Sequence, residues 1–322
     1  MAKEESRFIV VMALAGNLLI AIGKFAAAFF TGSSAMLSEG VHSLADTANE
    51  LLLLYGMHRA SAAPTVEHPF GQGREAYFWS FIVSLLIFAL GAGVSLYEGV
   101  HRLQTPRAVT HVAASFAVLA FSFVFEGTSW FFALRRVRRT KGERSYIQAI
   151  RHSKNPAVFT VLLEDSAALV GLIIAFAGIV AASLTGRPEF DAVASILISI
   201  LLAATSFFLA RETKGLLIGE QAHTRVQARL LQIADASDAI AHANGIFTAQ
   251  LGPDHVLAAL SAEFEDHLTT PQIEACIVDL ENQFRAAHPE IVAVFVKPQT
   301  RATWAERRAA LESDAPSDMP SL

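Results

Sequence analysis

Residues Ser33–Tyr55, SSAMLSEGVHSLADTANELLLLY, are long enough to cross a bilayer, which takes ~20 residues of helix. They nevertheless carry Glu39, His42, Asp46, Asn49 and Glu50 where lipid favours leucine. In a helix Glu39, His42, Asp46 and Glu50 follow at steps of three, four and four, and so form one narrow stripe. Leu37, Val41, Leu44, Ala48 and Leu52 make an apolar opposite face. An ionisable group at that depth costs at least ~2.5 kcal/mol on insertion scales, so it faces a bundle interior or a water-filled path. An imidazole and a carboxylate four residues apart are two ligands that a divalent transition metal takes. His42 and Asp46 are therefore candidate metal ligands. Ser38, Ser43, Thr47 and Asn49 read as hydrogen bonds between helices, a glue of ~0.6 kcal/mol per bond on average. Glu39 and Glu50 lie nearer the ends and read equally as further ligands or as groups that reach water.

The rest of the chain supports a membrane setting. Only 17% of its residues are charged and its mean hydropathy is positive, which is too apolar for an ordinary soluble domain. A formal charge of -5, without a basic stripe interleaved with aromatics, argues against nucleic acid as a partner. The single cysteine, Cys276, supports neither a disulfide framework within the chain nor a cysteine-based zinc site, and reads as a small buried residue on a helix. The start, MAKEESRFIVV, shows no cleavable signal.

Six spans can be drawn: Phe8–Phe30, Ala35–Met57, Tyr77–Val100, Val112–Leu134, Pro156–Leu184 and Phe190–Ala210. The link between the fourth and fifth carries Arg135, Arg136, Arg138, Arg139, Lys141, Arg144, Arg151 and Lys154, and Lys3, Arg7, Arg59 and Arg74 share its side. The other side has only Arg102, Arg107 and Arg187, so both termini are expected in the cytoplasm. Past Ala210 the composition becomes that of a soluble domain, entered by the interfacial linker RETKGLLIGEQAHT. Helical spacing over Val226–Ala236, two strands (Ile240–Leu251 and His255–Phe264) around GPD, a helix Pro271–His288 and a strand Ile291–Val296 follow. The expected fold is an all-α six-helix transmembrane bundle over 1–210, followed by a small cytoplasmic α+β domain (ferredoxin-like, α-β-β-α-β) over 211–300. Residues 301–322 are expected to add a short helix, Ala302–Ser313, and a disordered tail.

Other charges interrupt the spans. Lys24, near the outer end of the first, is expected to snorkel to the interface rather than to ligate. Glu98 and Glu126 are embedded in apolar sequence, and Glu126 reads as a proton relay or as the partner of a helix-end N–H. In the fifth span Pro156 suits a helix start, and Glu164 and Asp165 then sit side by side among apolar residues. Neighbours on a helix differ by ~100°, so the two are not expected to aim along one line. Two helices that each carry acids at mid-depth suit a shared cation.

These pieces resemble the cation diffusion facilitator family, most of all the branch that includes the ninth eukaryotic zinc-transporter type. The resemblance runs from about Phe8 to Pro298 and rests on GNLLIAIGKF, TGSSAMLSEGVHSLADT, HPFGQGREAYFW, LYEGVHRL, LLEDSAALVG and LLIGEQA, in that order. It implies a homodimer, joined through its cytoplasmic domain, that exports Zn²⁺ or a similar divalent ion from the cytoplasm in exchange for protons. The transported ion is the only inorganic partner implied and no enzymatic activity is expected; the composition suggests a cell membrane, the plasma (inner) membrane of a bacterium. The family's metal site takes a His/Asp-x-x-x-Asp pair from span two and another from span five. His42 and Asp46 match the first pair and Asp165 the end of the second. The remaining position falls on Val161, which is no ligand, so Glu164 or a water is left to supply the fourth contact. A carboxylate there hardens the site and weakens preference for Zn²⁺ over Mn²⁺, Fe²⁺ or Co²⁺. His68 matches a metal-binding position in the loop after span two, where Gln72 replaces a second histidine. Val296, Lys297 and Pro298 stand where other members carry cytoplasmic ligands, so no strong site is expected in that domain, and His242, Asp254, His255 and His288 read as scattered surface groups. The rival reading is a membrane-anchored metal sensor or assembly factor that binds without transport. An intramembrane metalloenzyme is disfavoured, because His-x-x-x-Asp lacks the general base of HExxH.

Overall fold

The computed structural model describes residues 2–140, 142, 145–151 and 153–313. Lys141 and Arg144 of the basic link, and residues 314–322 of the expected tail, lie outside the described residues. The chain opens with a hairpin of two helices, α1 (Ala2–Thr31) and α2 (Ser34–Ala60). Gly32 makes the tight reversal possible: its φ of 69° is left-handed, and its N–H closes on Ala28 O at 2.9 Å. The start of α2 is held from a distant helix. Asp191 accepts Ser34 N at 2.6 Å, Ser34 Oγ at 2.8 Å and Ser33 Oγ at 2.5 Å, which satisfies a helix N-terminus with a buried anion.

Four longer helices follow with short α5 between two of them: α3 (Glu75–Gln104), α4 (Val112–Thr140), α5 (Tyr146–Arg151), α6 (Pro156–Thr185) and α7 (Glu189–Ile218). A π-helical turn at Ile87–Ala92 widens α3, and Ala92 O accepts Ser199 Oγ of α7 at 2.9 Å. Pro156 starts α6, and left-handed Gly186 ends it. Among the described residues, four helices are long and apolar enough to cross a membrane: Glu75–Gln104, Val112–Arg135, Phe159–Thr185 and Glu189–Ile218. Of the six expected spans, α1 contributes a shorter apolar stretch, Gly16–Thr31, and α2 is not among the apolar helices, in keeping with its inward stripe of acids and histidine. Helix α7 also runs beyond the expected boundary at 210. Arg211, Glu212 and Lys214, read as a linker, are good helix formers and continue it to Ile218; Gly219, with φ 112°, follows the stop.

The second compact unit comprises Ser61–Arg74 and the chain from Leu216 onward. It is a small α+β domain of helix α8 (Thr224–Asp235), strands β1 (Ile240–Gly252) and β2 (His255–Phe264), helix α9 (Thr270–Ala287), strand β3 (Ile291–Pro298) and helix α10 (Arg301–Ser313). The sheet order is β1-β2-β3, antiparallel within the hairpin and parallel between β2 and β3. Val226, Leu230, Leu280 and Phe284 pack from the two helices against Val256, Leu260 and Ile291 of the strands. This is the α-β-β-α-β order that the spacing predicts. Trp304 of α10 lies against Phe247, with ring centroids 5.1 Å apart.

The loop Ser61–Arg74 is seated on the same unit. Two glycines make the approach possible: a Cβ at Gly73 would stand 2.7 Å from Leu251 O and 2.9 Å from Gly252 Cα. Phe70 adds an edge-to-face contact with Phe295, at 6.3 Å between centroids.

Candidate metal centre

Helix α2 is built inside out relative to a helix of a water-soluble protein. Ser38, Glu39, His42, Ser43 and Asn49 are buried, while Leu44, Leu51, Leu54 and Tyr55 are exposed on the flank available to lipid. The inward stripe is thus oriented as its spacing predicts. It meets α1, α4 and α6 around a cavity of about 20 Å³, room for roughly one water or small ion. Asp46 and Glu50 reach it from α2, Glu126 from α4, and Glu164 and Asp165 from α6. Adjacent Glu164 and Asp165 both line it, although the ~100° step on a helix separates them. Val161 also lines it and brings no donor atom.

Each α6 acid is held by a neighbour. Asn49 Nδ2 donates to Glu164 Oε1 at 2.8 Å and Ser129 Oγ donates to Asp165 Oδ2 at 2.8 Å. Across the cavity Asn17 Nδ2 donates to Glu50 Oε1 at 2.7 Å. His42 stands beside this set rather than in it. Its Nδ1 lies 3.3 Å from Asp46 Oδ1, yet the alignment makes no hydrogen bond, and both ring nitrogens and Asp46 Oδ1 are buried without a partner among the described residues. Buried polar atoms of that kind are costly, and lone pairs left open beside a cavity are what a cation takes up. Among the described residues, no three His, Cys, Asp or Glu side chains converge into a ready-made metal cage. The structure therefore brings Asp46, Glu164 and Asp165 to one cavity and leaves His42 next to Asp46.

Charge balance adds a further constraint. Five carboxylates line the cavity, and like charges ~5 Å apart repel by about 3 kcal/mol at an effective dielectric constant of ~20. Cations or protons must offset them.

Several expectations change. Lys24 does not snorkel. It is fully buried and donates to Glu39 Oε2 at 3.0 Å, Ser43 Oγ at 2.8 Å and Glu126 Oε1 at 2.7 Å. Its position on α1 faces α2 and α4, and one acid from each pairs with it. Glu39 does not reach water but is wholly buried on Lys24, and Glu126 meets an ammonium rather than a helix-end N–H. Glu50 is tied to Asn17, and Glu98 pairs with Arg102 at 2.7 Å. Asn49 and Ser38 bond helices together as expected, Ser38 through Ser195 Oγ at 2.6 Å, whereas Thr47 Oγ1 donates within its own helix to Ser43 O. His68 is exposed in the loop, with its backbone tied to Thr65. His288 meets Glu290 at 3.1 Å. Asn17 and Ser129 were not anticipated. Asn17 and Lys24 are seven residues apart, and Glu126 and Ser129 three apart, in apolar helices, spacings that each mark one polar face.

Residues 10–218 match the family profile of the cation efflux transmembrane domain. The chain is similar to the human mitochondrial proton-coupled zinc antiporter SLC30A9, at 32% identity over 265 residues, which is 81% of this chain and 46% of that protein. It is also similar to metal tolerance protein C4 of Arabidopsis thaliana, at 33% over 234 residues, 71% of this chain and 50% of that protein. Similarity to the manganese efflux system protein MneP of Bacillus subtilis is 23% over 219 residues, 67% of this chain and 70% of that one. The chain thus spans about half the length of the zinc antiporter and of the metal tolerance protein.

Proposed function

Because the chain belongs to the cation diffusion facilitator family, we propose that it is a multi-pass secondary transporter that exports a divalent transition-metal cation from the cytoplasm in exchange for protons. Zn²⁺ is the foremost substrate, with Mn²⁺, Fe²⁺ and Co²⁺ as alternatives. The observation that carries this reading is the cavity on which Asp46 of α2 and Glu164 and Asp165 of α6 converge, with His42 against Asp46.

The ion binds as substrate among Asp46, Asp165 and His42, with Glu164 or a water in place of the ligand that Val161 lacks. Oxygen-rich donors of this kind suit harder ions as well as zinc, in keeping with the names of the zinc and manganese relatives. His42 must be neutral and the carboxylates ionised to ligate, so protons compete with the metal for the same donor atoms. Metal enters from the cytoplasmic side, the bundle rocks, and protons on the ligands eject it on the other side, the usual scheme around a site at mid-membrane. All six helices α1, α2, α3, α4, α6 and α7 cross the membrane in this scheme, α2 shielded by its neighbours, with both ends of the bundle cytoplasmic. The membrane is a bacterium's own, and the protein pairs as a homodimer through its α+β domain.

Reconstituted vesicles test the reading. His42→Ala and Asp165→Ala are each expected to abolish zinc uptake with the helical content unchanged, and normal uptake by both would remove the site assignment. Uptake indifferent to an imposed pH gradient would remove the antiport. A membrane-anchored binder without transport is the second reading, favoured by the ligand missing at Val161; stoichiometric binding with no flux in vesicles would establish it.

A further inference from the structure

The polar interior has a second centre beside the cavity. Lys24 stands there with all three ammonium N–H groups committed, to Glu39 of α2, Ser43 of α2 and Glu126 of α4. Among the residues whose side chains are described, no other lysine or arginine is buried. Ser43 and Glu126 line the cavity as well, so two of the ammonium's three partners border the space assigned to the ion. Behind Glu39 the backbone of α6 closes in: a side chain at Gly171 would collide with Glu39 Oε1.

We propose that Lys24 is a tethered cation that occupies the Glu39–Glu126 end of this interior and thereby confines the transported ion to the Asp46, Glu164 and Asp165 end. This positioning role rests on the transport reading above. Glu39, Glu126 and Ser43 already converge on one point, the Lys24 nitrogen, at 2.7 to 3.0 Å. Two further oxygens of these acids, Glu39 Oε1 and Glu126 Oε2, are buried without a partner among the described residues. Two carboxylates and a hydroxyl around one point are oxygen donors of the kind that a divalent cation takes, and here an ammonium fills their centre. Without that ammonium, a divalent ion entering the cavity would find a second resting place beside the first. Transport needs binding that is favourable enough to load and weak enough to leave. A fixed cation removes the trap and adds no mobile competitor.

The test counts bound ions on the whole purified chain in detergent, titrated with Zn²⁺ alone. Lys24→Met is expected to hold about one more Zn²⁺ per chain than the unsubstituted protein. Lys24→Arg, which keeps the charge, is expected to hold the unsubstituted number, and K24M/E39Q to lose the additional ion. A helical, monodisperse K24M with an unchanged count overturns the proposal, since a purely structural lysine creates no ion site when removed. If K24M does not fold, Glu39→Gln alone carries the test. Glu39 is held by Lys24 and does not line the cavity, so the count is expected to stay the same; a lost ion makes Glu39 a ligand and overturns the proposal. Failure of the transport reading looks different: vesicles show no uptake while the K24M count still rises.

Discussion

Replacing Asp191 with alanine should loosen the start of the helix that carries His42 and Asp46. Asp191 is 3% exposed and accepts three hydrogen bonds from Ser33 and Ser34 at 2.5 to 2.8 Å. A hydrogen bond to a charged acceptor contributes ~1.5–3 kcal/mol. The three share one carboxylate and are not independent, so their sum overstates the loss. Stranding three buried donors together costs about 3–5 kcal/mol, the range for breaking a buried charged contact. The anion's favourable place at a helix N-terminus, worth ~0.3–1 kcal/mol, is lost as well. Asp191→Asn keeps one acceptor oxygen and should cost about half as much, and Ser34→Ala, which spares the backbone bond, about 1 kcal/mol. The assay is reversible unfolding in mixed micelles of dodecyl maltoside and SDS, followed by tryptophan fluorescence. His42 lies eight residues from Ser34, about 12 Å along the axis, so a frayed start should also weaken Zn²⁺ binding. A loss below about 1 kcal/mol for Asp191→Ala, or the order Ser34→Ala worse than Asp191→Ala, would refute the reasoning.

Zinc binding should weaken as the pH falls, by about tenfold in Kd per pH unit for each proton that the ion displaces from the crowded carboxylates; Asp165→Asn should flatten that profile, and an unaltered slope would contradict ligation by Asp165. Val161→Asp places an oxygen donor on the cavity wall where none stands. Competition titrations should then show tighter binding overall and a shift towards Mn²⁺ relative to Zn²⁺, whereas unchanged affinities would mean that the ion sits elsewhere. Gly73→Ala sets a methyl against Leu251 O and Gly252 Cα, at 2.7 and 2.9 Å. Limited proteinase K digestion should cut the loop Ser61–Arg74 several-fold faster in the variant, and equal rates would show that the contact is dispensable.

The inward face of α2 was legible from residue order, because a step of three or four residues places side chains on one side of a helix whatever surrounds it. Asp46, Glu164 and Asp165 could be nominated for the same reason: an acid in an apolar span has few tolerable settings. The α-β-β-α-β domain followed from two periods, near 3.6 and 2, and from the turn at GPD, all of them local properties.

Partners of buried charge were not local, and there expectation failed. Lys24 and Glu126 are 102 residues apart, and Glu164 and Asn49 are 115 apart. A long lysine near a span's end has two ways to be neutralised, by water at the interface or by acids from other helices, and its own neighbours in sequence are the same in both. Helix packing chose the second by turning Lys24 towards Glu39 and Glu126. The same packing placed adjacent Glu164 and Asp165 on one cavity, because the space between helices is wider than the line along which a single side chain points. Chemistry that repeats along one helix can be read from its spacing, whereas the counter-charge depends on which helices meet, and that is a property of the assembled bundle.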